Sequence, residues 1–212
     1  MRAVVFSAGQ VHDYGRIRRL IGSPDLVICA DGGVRHALAL GLTPTLVLGD
    51  FDSAGPVLTA EVSARGIPIH RVPADKDQTD THLALEEALA RGATEVYLVG
   101  ATGSRLDHTL SNLLLLPDLI ARAAITVLDG HNIIRLLQPG GRLTVEALPE
   151  AYLSLIPLTP EVRGVVAEGV KWPLSGATLR WGESLGVSNR IVGQAAMIAV
   201  EEGYLLVIQS WD

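Results

Sequence analysis

DLVICADGGVRHALALGLTPTLVLGDFD, residues 25–52, is the stretch whose reading decides the fold. Its two apolar runs, DLVICA and TLVLGD, lack the polar alternation of a half-exposed strand, so each reads as a strand covered on both faces. Between them Val34 to Leu40 has helical period, and Asp31-Gly32-Gly33 stands where the first strand gives way to that helix. Strand, helix and strand in so short a span form one βα unit of a parallel sheet.

The pattern repeats outward. Upstream, RAVVFS precedes a helix over Gly15 to Ile21; downstream come a helix over Val57 to Arg65, the strand IHRV and a helix from Asp80 to Arg91. The strand EVYLVG and a helix from Asp107 to Ala123 follow, and ITVLDG and IIRLL close the sheet. Residues 1–137 are therefore expected to form an α/β domain, a Rossmann-like, mostly parallel sheet with flanking helices. From QPGGRL onward no helix is evident, and short runs such as RLTVEA, YLSLIP and YLLVIQS recur with Gly or Pro between them. Residues 138–212 are expected to be a small all-β domain, with the boundary at Gln138 to Arg142, where Pro139, Gly140 and Gly141 stop the last strand.

Composition narrows the function. Across 212 residues, 48% hydrophobic and 19% charged residues describe a globular chain long enough to carry a core without disulfides. The net charge of -6 provides no basic field for a nucleic acid backbone, so no nucleic-acid partner is expected. The single cysteine, Cys29, lies in an apolar run and reads as a buried thiol. Apolar stretches are too short to span a bilayer and MRAVVFSAG lacks the features of a signal peptide, so no membrane association is expected and the location is expected to be cytoplasmic.

Ligands of an open parallel sheet bind beyond the carboxyl ends of its strands, and four of those ends are rich in carboxylates. They are Asp31-Gly32-Gly33, Gly49-Asp50-Phe51-Asp52-Ser53, the run Asp75-Lys76-Asp77-Gln78-Thr79-Asp80, and Gly100 to His108 with Arg105 and Asp107. So many acids in one crevice repel one another and raise each other's pKa unless a cation neutralises them, and hard oxygen ligands favour Mg²⁺. In an extended segment Asp50 and Asp52 point the same way, with Phe51 toward the core. Taken alone, GDFDS would read as a turn with a helix cap; four such loops together favour a metal site. Lys76 and Arg105 among the acids suit a polyphosphate, although each also has a neighbouring Asp to pair with. Asp107 reads equally as the N-cap of its helix or as a site residue. His12, His36, His70, His82 and His131 have no metal-ligand spacing and read as surface or packing residues.

In order, ADGG, GDFDS, DKDQTD and GATGSRLDHTLSNL followed by a small β domain resemble the thiamine pyrophosphokinase (thiamine diphosphokinase) family over nearly the whole chain. The resemblance implies an α/β nucleotide-binding domain joined to a C-terminal all-β sandwich domain that binds thiamine, working as a homodimer; the β domain, marginal alone and with sheet edges to cover, is expected to supply the dimer contact. It implies transfer of the β,γ-pyrophosphoryl group of ATP to the thiamine hydroxyl, leaving AMP. On matching positions it implies magnesium and phosphate work for Asp50, Asp52 and Asp80, catalysis also for Thr79, and an ATP site lined by Asp31, Gly32, Asp77, Thr79, Arg105 and Asp107. GVKWPLSG and SLGVSNRI resemble the family's thiamine-side motifs, which implies Trp172, Ser188 and Asn189 beside the vitamin. Ser104 stands where the family often has a second Gly before the Arg.

Physical chemistry alone would put Trp172 in the core, yet a Trp face also stacks on a flat cationic ring. Trp181 and Trp211 are assigned to the core. Two other functions use the same acidic loops: pyrophosphoryl transfer to another heterocyclic alcohol such as a hydroxymethylpterin, and a nucleotide-sensing module without catalysis. Surplus carboxylates weaken a pure phosphate sensor.

Overall fold

The structure, a computed structural model, describes residues 1–51, 55–73 and 75–212. It contains two compact units, Met1–Gly130 and His131–Asp212.

The first unit is built on six parallel strands: β1 (Arg2–Phe6), β2 (Leu26–Ala30), β3 (Leu46–Gly49), β4 (Ile69–Arg71), β5 (Glu95–Val99) and β6 (Ala124–Leu128), in the order β4-β3-β2-β1-β5-β6. All five residues of β2 and all four of β3 are buried, which is why neither run shows polar alternation. Chain order runs outward from β1 to β4 on one side and resumes on the other side with β5, so a topological switch point lies at β1.

The helices are α1 (Tyr14–Ile21), α2 (Val34–Ala39), α3 (Gly55–Ala64), α4 (Asp80–Ala90), α5 (Leu106–Leu114) and α6 (Leu116–Leu119), and a 3₁₀ turn over Asp31–Gly33 leads into α2. Local chemistry sets their starts. Asp13 caps α1 by accepting from the Arg16 N–H at 2.8 Å, and Thr79 caps α4 by accepting from the His82 N–H at 3.2 Å. Helix α4 buries Ala84, Leu85, Ala88 and Leu89, a stripe at helical spacing, and packs on β1, β2 and β3.

One helix departs from the sequence expectation. The expected helix from Asp107 to Ala123 is two helices, because Pro117, at the start of α6, has no N–H to continue the α5 ladder. The strand IIRLL is β7 (Asn132–Leu137), in the second unit, and it pairs antiparallel with β13 (Leu205–Ser210).

The second unit has one antiparallel set, β7, β13 and β9 (Tyr152–Pro157), and another, β11 (Leu174–Arg180), β10 (Glu161–Glu168), β12 (Ala195–Ala199) and β8 (Arg142–Glu146). Alternate residues of both sets, among them Val145, Leu153, Leu155, Val162, Leu179, Ile198 and Val207, share one core, as in a β-sandwich. GVSNRIV makes only isolated bridges, Leu153 with Asn189 and Val170 with Ile191. Trp181 is 61% exposed and Trp211 is half-buried with its Nε1–H donated to the Pro149 carbonyl, so neither belongs to the core. Among the described residues no helix is long and apolar enough to cross a membrane.

Candidate functional site

A cleft of about 590 Å³ opens in the first unit at the carboxyl ends of β1, β2, β3 and β5. Its walls come from Ser7–Gln10, Asp31, Asp50, Thr79–Thr81 and Gly100–Arg105, with His108, Thr109 and Asn112 of α5. That volume lies within the usual range of small-molecule sites, about 300–1,000 Å³.

The carboxylates of Asp31, Asp50 and Asp80 each place an oxygen within 4.8 Å of the other two. Backbone geometry brings them together. Asp31 takes φ 45° directly after β2, and Gly49 takes φ 152° at the end of β3. A Cβ at Gly49 would stand 3.0 Å from the Asp31 Cβ and 3.2 Å from its Cα, so the glycine lets the two loops close. Phe51, at φ 69°, turns inward and is buried as expected, with the Arg71 guanidinium 4.9 Å from its ring centre.

Asp80 is the electrostatic centre of the cluster. Its Oδ1 is buried and lies 3.0 Å from Lys76 Nζ, close enough for an ion pair but without hydrogen-bond alignment. Burial raises its pKa, and the neighbouring charges of Asp50 and Asp31 push the same way against the opposing effect of Lys76. Three hard oxygen donors, one of them the buried Asp80 Oδ1 whose only nearby counter-charge among the described residues is the Lys76 ammonium, fit a divalent cation of the Mg²⁺ class.

Of the other expected site residues, Thr79 and Arg105 line the cleft, while Gly32, Asp77 and Asp107 stand outside its lining. Asp52 lies outside the described residues. Thr79 carries the α4 cap described above, which ties it to helix geometry. Asp107 is not the cap of α5: Arg105 holds that position, and Asp107 sits in the first turn and accepts from the Arg105 guanidinium. That hydrogen-bonded pairing lowers the Asp107 pKa.

Sequence reasoning missed the loop after β1. Ser7, Ala8, Gly9 and Gln10 all face the cleft, and the Ser7 hydroxyl meets that of Thr81 at 2.9 Å. The signal was the Ser-Ala-Gly that ends and follows RAVVFS, a small-residue turn at a strand's carboxyl end without any carboxylate to attract notice. Asn112, also missed, is buried in α5 and donates to the Ala101 carbonyl at 2.7 Å, and Thr102 donates to Asp129 at 2.6 Å. Both bonds hold the Gly100–Gly103 loop from behind.

In the second unit Trp172 is 54% exposed, so the core reading of this residue does not stand. Lys171 Nζ lies 4.6 Å from its ring centre, a cation already on the indole face. Asn189 is buried, and its amide is committed to the backbone. Its Oδ1 accepts from the N–H groups of Trp172 at 3.1 Å and Arg190 at 2.8 Å, and its Nδ2 donates to the Trp172 carbonyl at 2.7 Å. Asn189 thus anchors the Trp172 segment. Ser188 is exposed at φ 59°, with its backbone N–H donated to Ser154 Oγ.

Residues 17–128 match the family model "Thiamin pyrophosphokinase, catalytic domain", and residues 142–205 match "Thiamin pyrophosphokinase, vitamin B1 binding domain". The chain is 30% identical over 188 residues to the thiamine pyrophosphokinase of Bacillus subtilis (strain 168), an alignment covering 88% of each. It superposes on the crystal structure of thiamine pyrophosphokinase from Bacillus subtilis with a TM-score of 0.89 at 27% identity, covering 100% of both chains. A thiamin pyrophosphokinase family protein from Enterococcus faecalis gives a TM-score of 0.83 at 30% identity, again over 100% of both.

Proposed function

The chain belongs to the thiamin pyrophosphokinase family, ATP-dependent enzymes that move the pyrophosphoryl group of ATP to thiamine, and on that premise we propose how its residues divide the work. The cleft of the first unit takes ATP. Asp31, Asp50 and Asp80 hold a divalent metal of the Mg²⁺ class, and their convergence within 4.8 Å is the observation that carries this reading. When bound, the metal offsets the charge of the triphosphate and orients its oxygens.

The remaining work falls to protein groups. Arg105 exchanges its partner Asp107 for phosphate, at little cost because both members of the pair are exposed and solvent screens their attraction. The Ser7 and Thr81 hydroxyls offer donors to the nucleotide. Thr79 holds the start of α4, and with it Asp80, in place. Asp52 and Asp77 are assigned to the same site from the motifs alone.

Thiamine is the acceptor. Trp172 stacks on its cationic ring, Ser188 supplies a hydroxyl, and Asn189 acts through the Trp172 backbone it grips. The working form is a homodimer, supported by exposed apolar residues on the second unit: Trp181, Leu185, Val187 and Val192. The buried Cys29 thiol and the ATP requirement fit the cytoplasm.

The reading is tested by incubating the protein with ATP, Mg²⁺ and thiamine and separating the products. Equal amounts of AMP and thiamine diphosphate are expected. A hydroxymethylpterin accepted in place of thiamine, or ATP bound without turnover, would reverse it.

A further inference from the structure

The geometry points to His36 as a positioning residue for the nucleotide cleft: held as the Nε2–H tautomer by Tyr14, it fixes the Ser7–Gln10 loop against the Gly100–Thr102 loop. The inference rests on the assignment of ATP to this cleft.

His36 is a buried polar residue that the expected chemistry leaves without a role. Its Nε2 lies 3.0 Å from the Gly9 carbonyl oxygen and its Nδ1 lies 2.7 Å from the Tyr14 hydroxyl. A carbonyl only accepts, so Nε2 carries the hydrogen; Nδ1 of the neutral ring then accepts from Tyr14. Burial favours that neutral ring, and Arg35 beside it pushes the same way. Three elements are joined by these two bonds: α1 through Tyr14, α2 through His36, and the loop after β1 through Gly9.

The loop is pinned on both sides. Arg35, the residue before His36, donates to the carbonyls of Ala8 and Gly9. On the opposite edge the Gly9 N–H donates to the Gly100 carbonyl and the Gln10 N–H to the Thr102 carbonyl, each at 2.8 Å. In a trans peptide C=O and N–H point to opposite sides, so a carbonyl drawn toward α2 aims the following N–H at the second loop. No Cβ fits between the loops, since one at Gly9 would lie 2.2 Å from the Thr102 oxygen. His36 Cδ2 would be 3.4 Å from a Cβ at Gly100, so the ring also backs the second loop. Ser7–Gln10 and Gly100–Thr102 both line the cleft, and the groups that fix their separation fix its width.

The test compares wild type with Tyr14→Phe, His36→Gln and His36→Ala, reading the ATP and thiamine KM values, thermal melting and the His36 ¹⁵N shifts. The wild-type spectrum should show the Nε2–H tautomer. His36→Ala should raise the ATP KM about tenfold with the thiamine KM unchanged at saturating ATP, the scale of one lost buried hydrogen bond. His36→Gln, whose amide N–H reaches the same carbonyl, should recover most of that. Tyr14→Phe keeps the ring and loses only the hydroxyl, so it should raise the ATP KM severalfold and decides the matter if His36→Ala does not fold. An unchanged ATP KM in folded Tyr14→Phe, an Nδ1–H tautomer, or equal defects toward both substrates would overturn the inference. Wild-type protein that binds no ATP would overturn the assignment of the cleft and this inference with it, whereas normal ATP binding with insensitive variants overturns this inference alone.

Discussion

Asp80 combines two demands that pull against each other. Its raised pKa means that ionisation is disfavoured in the fold, so its contribution to stability is present below the ordinary carboxylate pKa and is lost as pH rises through the raised value. Without metal, Asp80→Asn should therefore raise the melting temperature at neutral pH and flatten its change across the acid range, while activity falls on the order of a hundredfold; melting curves at several pH values and steady-state rates check both. Asp50→Asn should lose activity to a similar degree with the fold intact by circular dichroism. Near-normal turnover in both variants would remove the triad from the mechanism. Trp172→Ala should raise the thiamine KM about tenfold and leave the ATP KM in place, as loss of a stacking contact on an exposed ring requires. At this scale the acids were legible because carboxylates gathered at four strand ends of one sheet edge repel one another until a cation joins them. Asp31 was read as an ATP residue, and its place in the triad depends on the positive φ at Asp31 and Gly49, which residue types alone do not disclose. Asn189 was legible as a polar residue near Trp172 but not as its anchor, because the bonds form between segments 17 residues apart.

Strands and helices were legible where burial is uniform. The apolar runs of β2 and β3 have no reading but a covered strand, and the residues that follow them become cleft walls because every strand of a parallel sheet ends on the same edge. Pairing partners were harder. β7 carries an apolar run much like those of the parallel strands, and only its register with β13, Leu136 opposite Leu206 and Ile134 opposite Ile208, sets it in an antiparallel pair. The loop after β1 was passed over for want of charge, yet its backbone is pinned from both sides. Gly9→Ala should part the two loops it separates, with a fall of at least tenfold in ATP affinity by calorimetry and a loss of about 1–3 kcal/mol in stability by denaturant titration. Gly41→Ala serves as the comparison: its φ is 68° with nothing within 4 Å of a Cβ, so it should cost about 1 kcal/mol and leave ATP affinity unchanged.

As a whole, the molecule joins a parallel sheet with an acidic cleft to a β-sandwich with an exposed indole, and each unit matches one of the two domains of its family. The Rossmann-like plan was legible from periodicity, whereas the acceptor was legible only from resemblance, since a β-domain Trp is ordinarily core. Homodimerisation belongs to this scale. Light scattering should return twice the 22.5 kDa of one chain, and Trp181→Lys combined with Val192→Glu should shift the particle toward monomer; a wild-type monomer at micromolar concentration would contradict it. The central claim is that Asp31, Asp50 and Asp80 hold the metal that accompanies the triphosphate in the cleft of the first unit. Anomalous diffraction from crystals grown with Mn²⁺ and a hydrolysis-resistant ATP analogue tests it most directly. A manganese peak ligated by those three carboxylates, with the triphosphate beside it, is the predicted result; a peak elsewhere, or a triphosphate bound outside the cleft, would contradict it.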